Sequence, residues 1–461
     1  MLDDSILERF VETTPLTVMA RVALERALDP GWVDALFEDQ RERQYTRELL
    51  FSTVVELTSA VALGLQPSLH AAAQASRSLS VSLPALYGKL QRTEPALMGA
   101  LIRGTFERLA PVAQELAPKQ KALVSGLRVR IVDGNHLPAS EKRLGVLRGF
   151  RGAALPGHSL VVYDPELDLV SDLVACEDAH AQERTVMAEL IERIEPGELW
   201  IADRQFSTSA ILWGIASRNA KFLIREHGAS PNPTELGPLK KIGKIDSGQV
   251  FSQDVECKGP DGQRLRMRRI VLQLEQPTED GETTIRILTN TSARQLSACN
   301  AARMYRNRWR IEGMFQRLEA ALQSELRSLG TPRAALLAFA VSVAAYNVLA
   351  LVQRAVTVAH PPEKTGFELS FYYVANELRS HYAGMMIALP PESWRSTVAA
   401  SSSQLTQRLK ALARRVQPRT LRKHPREPKP KPRPGYAPAT AARRHVATAR
   451  VLAAGSITST C

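Results

Sequence analysis

Residues 127–134 read LRVRIVDG. Apolar and basic residues alternate there with the two-residue period of a strand, and the run closes on an aspartate followed by glycine. Such a strand delivers the Asp133 carboxylate to its carboxyl end. Upstream the period is different: 18–28, 43–63 and 96–116 carry apolar residues at three- and four-residue spacing, with breaks at Pro30 and Pro67. This predicts an all-helical N-terminal segment over 1–120. Downstream, 158–163 and 169–175 predict two strands around the turn DPELD. A helix over 181–194 follows, then the strand ELWIAD ending in Asp203, a helix over 207–217 and the strand KFLIR. The expected fold is α/β, with two aspartates at carboxyl ends of strands, where open sheets bind their ligands.

Residues 246–290 contain GQVFSQDVECKG, LRMRRIVLQLEQ and TTIRILTN between glycine-rich turns, which predicts a β-rich insertion over about 226–295. After it comes AARMYRNRWRIEGMFQRLEAA, residues 301–321, expected to be one helix. At 100° per residue, Tyr305, Arg308, Glu312 and Glu319 fall within about 60° on one face, leaving Met304, Trp309, Ile311 and Phe315 to pack elsewhere. The uncharged run 334–353 has the ~18 residues a membrane span needs. It is alanine-rich and interrupted by Ser342, Tyr346 and Asn347, so a helix buried behind the sheet, with that polar pair satisfied in the core, is expected instead. The units expected are 1–120, 121–358 with the insertion, a helical region 359–416 able to bring two subunits together, and a basic, proline-rich tail 417–461. That tail reads either as a phosphate-touching arm or as a solvated end.

The 461 residues hold 60 basic against 47 acidic side chains, a net charge of +13, which favours a polyanionic partner. Four scattered cysteines without a CxxC pair indicate neither a zinc site nor a disulfide framework, and a reducing cytoplasm suits them. The start MLDDSILERF has no basic region leading into an apolar run, so no export signal is expected. Within the helical segment, 68–76 and Leu83–Arg92, LPALYGKLQR, resemble a helix-turn-helix whose second helix shows Tyr87, Lys89 and Arg92. DNA reading and plain packing are both open there.

Three carboxylates, Asp133, Asp203 and Glu312, suffice to hold the two divalent ions that serve phosphodiester transfer. Oxygen-only ligands suit Mg²⁺, with Mn²⁺ able to substitute. The contexts VDGN, ADRQF and YRNRWRIE, with Tyr305-x2-Arg308-x3-Glu312, resemble DDE transposases of the insertion sequence four family. That family's signature ends in a lysine where this chain has Glu319. The strand and helix order resembles the ribonuclease H-like order. The resemblance implies a ribonuclease H-like catalytic core interrupted by the β-rich insertion. It also implies cleavage of double-stranded DNA at the terminal inverted repeats of a mobile element and joining to target DNA. Asp133 would bridge the ions, with Asp203 on one and Glu312 on the other. Arg308 and Tyr305 would meet a phosphate, and Arg204, Arg306 and Arg310 the DNA backbone. A synaptic homodimer at the bacterial nucleoid, with no membrane, is implied as well. A DNA-binding regulator that has lost catalysis and a nuclease without strand transfer are the other readings. The insertion has no tryptophan over 246–290, so a base-stacking role cannot be placed there.

Overall fold

The computed structural model describes residues 4–44, 48–76, 79–118, 120–137, 157–178, 181–228, 230–259, 262–278, 281–326, 329, 331–389, 394 and 400–424. Up to residue 116 they form helices α1 (Asp4–Thr13), α2 (Pro15–Ala27), α3 (Pro30–Gln40), α4 (Phe51–Ala62), α5 (Leu69–Ala75), α6 (Leu83–Arg92) and α7 (Pro95–Leu116). Prolines at the first helical turn start α2, α3 and α7, where a missing N–H costs nothing. Asp29 caps α3 by accepting from Trp32 N at 2.8 Å, and Ser68 caps α5 by accepting from Ala71 N.

Among the described residues ten strands follow: β1 (Arg128–His136), β2 (His158–Asp164), β3 (Leu169–Cys176), β4 (Glu198–Ala202), β5 (Lys221–Arg225), β6 (Thr234–Glu235), β7 (Lys240–Ile245), β8 (Gly248–Lys258), β9 (Arg264–Leu274) and β10 (Thr284–Thr289). They make one mixed sheet in the order β3-β2-β1-β4-β5-β10-β9-β8-β6, with β7 pairing β8. The pairs β1–β4 and β4–β5 are parallel, and β1–β2 and β2–β3 antiparallel. Strands β6 to β10, over the segment read as a β-rich insertion, prolong the core sheet: β10 docks antiparallel on β5, with Ile287 opposite Arg225.

Helix α8 (Glu183–Ile191) links β3 to β4 and α9 (Ser209–Ser217) links β4 to β5. Both cover one face of the sheet, where Met187, Leu190, Ile211 and Ile215 pack on Val132, Val162, Trp200 and Phe222. The opposite face, with Val129, Ile131, Leu199 and Ile201, shares a single apolar core with the N-terminal helices and with α12 (Pro332–Ala359). Because both faces are covered, the alternation in LRVRIVDG does not mark a solvent side. Arg130 is buried in an ion triad with Asp164 and Glu198. α7 reaches β3 closely through Gly99, where a Cβ would stand 2.6 Å from the Leu173 carbonyl oxygen.

The apolar helix α12 is buried throughout its most apolar window. Its polar pair is satisfied: Asn347 accepts from Val170 N at 2.7 Å and donates to Val170 O at 2.9 Å, and Tyr346 donates to Asp168. Beyond it lie α13 (Pro362–Thr365), α14 (Phe371–Ala388) and α15 (Ser402–Ala413), the last opened by a Ser401–Gln404 capping box. Residues 425–461 of the expected tail lie outside the described residues. The start of that segment, through Leu421, is packed against the helical region. Pro418–Leu421 forms a 3₁₀ turn with Leu421 buried, and Ser370 N and Lys423 N donate to Leu421 O and Glu368 O. Apolar Val416 and Leu421 are both buried there.

Candidate active site

The paired register of β1 and β4 ends at Ile131 opposite Ile201, and Asp133 and Asp203 each stand two residues further on. With a strand period of two, both aspartates fall on the face that carries Ile131 and Ile201. Asp133 accepts from the N–H of Gly134 at 3.0 Å. Asp203 ends its strand as the cap of the 3₁₀ turn Arg204–Phe206, accepting from Gln205 N at 2.7 Å.

The third acid comes from the segment expected as one helix. That segment is three pieces: α10 (Ala298–Tyr305), a 3₁₀ turn at Arg306–Arg308, and α11 (Trp309–Ala321). The backbone of Tyr305, Arg306, Arg308 and Trp309 stays right-handed, so the turn tightens the helix without redirecting it. Ile311, Met314 and Leu318 bury one side of α11 in the core. Glu312, in its first turn, is left facing the strand ends.

Arg308 binds these parts together. Its guanidinium donates through Nη1 to Asp133 Oδ2 at 3.3 Å and through Nη2 to Glu312 Oε1 at 2.7 Å. Burial pushes the Asp133 carboxyl up to about 6; Arg308 opposes this, and the nearby charges of Asp203 and Glu312 add to it. Tyr305 is buried beside Arg308, and burial raises its phenol so that it stays a neutral hydrogen-bond donor.

A cation therefore already sits between Asp133 and Glu312, and the carboxylate donors are those a hard divalent ion takes. The donor chemistry fits a metal. Among the described residues, however, no three acids, histidines or cysteines lie close enough to enclose an ion. The guanidinium occupies the place that the acids would have to share.

The other expected residues are dispersed. Arg204 is half exposed and pairs with Glu282 at 3.3 Å, and Arg306 pairs with exposed Asp246 at 3.0 Å. Arg310 and Glu319 are exposed on α11. Trp309, expected to pack, is 68% exposed, because α11 spends its buried stripe on Ile311, Met314 and Leu318. On α6, Arg92 is exposed and Tyr87 half-buried, while Lys89 points inward. Its ammonium lies 3.7 Å from the centre of the Phe37 ring and the residue is 6% exposed.

Two features escaped the sequence reading. Asp168, in the β2–β3 turn at φ 58°, accepts from Arg317 through both oxygens at 2.7 and 2.8 Å and from the phenols of Tyr163 and Tyr346. This network ties α11 to the hairpin and to α12. The second feature is Glu183 in the first turn of α8, whose carboxyl is pushed up to about 7 by burial and by the charges of Asp133 and Asp203. As sequence, it is one more glutamate opening a helix, and only the fold brings it to the strand ends.

Comparison with known proteins places this geometry. No curated protein matches the chain. Residues 125–348, just under half of the chain, match the family model described as the transposase DDE domain. The mixed sheet is compatible with the ribonuclease H-like fold of such a domain. This likeness, over the segment that holds Asp133, Asp203, Arg308, Glu312 and Glu183, supports a DDE transposase.

Proposed function

We propose that the chain is a transposase of the insertion sequence four kind, cutting double-stranded DNA at the ends of a mobile element and joining those ends to target DNA. The observation that carries this reading is the Arg308 guanidinium held between Asp133 and Glu312, at the end of a sheet whose residues match a transposase DDE domain. DDE transposases use divalent metal ions. Asp133, Asp203 and Glu312 would hold them. Two Mg²⁺ or Mn²⁺ ions would supply activation of the attacking oxygen and charge stabilisation on the leaving one.

The chain's own groups do the rest. A substrate phosphate oxygen would compete with the two carboxylates for Arg308, so DNA entry would draw the guanidinium off Asp133 and Glu312. Tyr305, neutral because it is buried, donates its hydroxyl to a phosphate oxygen. Exposed Arg306 and Arg310 add contacts to the DNA backbone. Two copies acting on two element ends would form the synaptic complex.

The test is incubation of the protein with Mg²⁺ and a plasmid carrying the element ends. Cleaved and joined products are expected from the parent. Asp133→Asn, Asp203→Asn and Glu312→Gln are expected to bind the ends without cutting, because each amide keeps the shape and loses the charged ligand. A variant cutting at near-parent rate removes that residue from the site. Binding without any cutting by the parent would instead identify a regulator.

A further inference from the structure

The parallel pairing of β4 and β5 ends at Ala202 opposite Ile224, so Asp203 and Arg225 are the next residues on their strands. With a strand period of two, their side chains share the face that carries Ile201 and Leu223. Arg204 follows Asp203 directly. One carboxylate, from the turn before β10, holds both arginines: Glu282 Oε1 accepts from Arg204 Nη1 at 3.3 Å, and Oε2 accepts from Arg225. That turn has a defined shape. Glu282 N donates to Thr278 Oγ1 at 3.1 Å, Thr278 N donates to Glu282 O at 2.9 Å, and Gly281 takes φ 80°, which favours glycine.

Arg204, Arg225 and Glu282 line a cleft of about 840 Å³ in the prolonged part of the sheet. Its other acids, Glu226 and Glu235, are both engaged by Arg269, at 2.7 and 2.9 Å. Arg286, exposed on β10, also lines the cleft and has no acidic partner among the described residues. Arg204, Arg225 and Arg286 therefore have one carboxylate among the three of them. No Phe, Tyr or Trp lines the cleft among the described residues, so its guanidiniums suit backbone phosphates and not a stacked base. An ion-pair trio can also be a plain staple for a turn. Pairs this open contribute little to stability, however, since the Arg204 and Glu282 side chains are 51% and 33% exposed, and a staple leaves Arg286 without a use.

We infer that this cleft seats phosphates of the DNA strand that continues past the cut bond, and that Glu282 is the counter-charge those phosphates displace from Arg204 and Arg225. The inference rests on the transposase reading proposed above. It adds to that reading a binding surface on β8 to β10, with Arg286 taking a phosphate of its own.

Binding of the full-length protein to a fluorescent duplex carrying an element end and its flank, in EDTA so that no strand is cut, tests this. Glu282→Gln is expected to tighten binding about 3- to 10-fold, because two partly exposed ion pairs no longer have to be broken. Arg286→Gln is expected to weaken binding and to lower the slope of log affinity against log salt by about 0.9, the share of one phosphate. A Glu282 that only staples the turn would give a lowered melting temperature and no gain in affinity, and that result overturns the inference. Parent-like affinity and slope in Arg286→Gln, a change at an exposed and unpaired side chain, overturn it as well. Should Glu282→Gln not fold, Glu282→Asp, too short to span both arginines, takes its place with the same expectation. If the parent binds no DNA, the transposase reading fails and this inference with it; if the parent binds and both variants bind like it, this inference alone fails.

Discussion

Lys89 shows how one side chain's surroundings change what its residue type suggests. On an exposed helix it would be a phosphate contact, but it is 6% exposed and stacked over Phe37, and burial lowers its pKa to about 8. Between about 8 and the ordinary lysine value near 10.4, the unfolded chain binds a proton that the folded chain does not, so this group's contribution to stability rises with pH across that window. The gain amounts to up to about 3 kcal/mol at 1.36 kcal/mol per unit. Lys89→Met should remove that alkaline gain from the stability profile, read by denaturant melts at pH 8 and pH 10, and should leave affinity for element ends unchanged. A loss of DNA affinity with an unaltered profile would return Lys89 to the DNA-facing surface.

At the scale of elements, α11 carries Glu312 and Arg308 near its start, and its placement is set by more than its apolar stripe. Five residues after Glu312, Arg317 grips Asp168 through both oxygens and lies over the rings of Tyr346 and Phe371. Burial alone would raise Asp168; the hydrogen bonds and charge of Arg317, with those of Tyr163 and Tyr346, hold it below its ordinary value instead. Removing the cation strands that carboxylate. Arg317→Met should therefore cost about 1–3 kcal/mol, the loss when a half-buried carboxylate is left without its charged donor. Asp168→Asn together with Arg317→Met should cost less than the sum of the single changes, and a double-mutant cycle in urea measures the difference. Strict additivity would mean the pair does not hold the helix.

For the whole molecule, charge and core are separately placed. The apolar core is continuous from the N-terminal helices through one sheet face to α12, α14 and α15. Much of the positive charge is carried by the end of the sequence: residues 425–461 hold seven lysines and arginines against one glutamate. Each phosphate contact made by that segment adds to the salt dependence of DNA binding. Ending the chain after His424, which keeps the packed turn at Pro418–Leu421, should leave the melting temperature unchanged and flatten the slope of log affinity against log salt. An unchanged slope would show that the segment does not touch DNA.

What the sequence determined by itself is what short-range pattern encodes. Strand-like runs indicated β1 to β5 in order, three- and four-residue spacing the N-terminal helices and α12, and the strand ends and the motif around Glu312 singled out Asp133, Asp203 and Glu312 as candidates. These depend on neighbours a few positions apart. What only the tertiary structure decided depends on which elements meet. β10 docking on β5 turned an insertion into a continuation of the sheet, and helices on both faces made Arg130 a buried partner of Asp164 and Glu198. Lys89 found Phe37 across 52 positions, and Arg308 found Asp133 across 175. Glu183 reached the space left by Gly134. A carboxylate's or ammonium's role is set by the charge and burial around it, and those are supplied by residues far away in the chain.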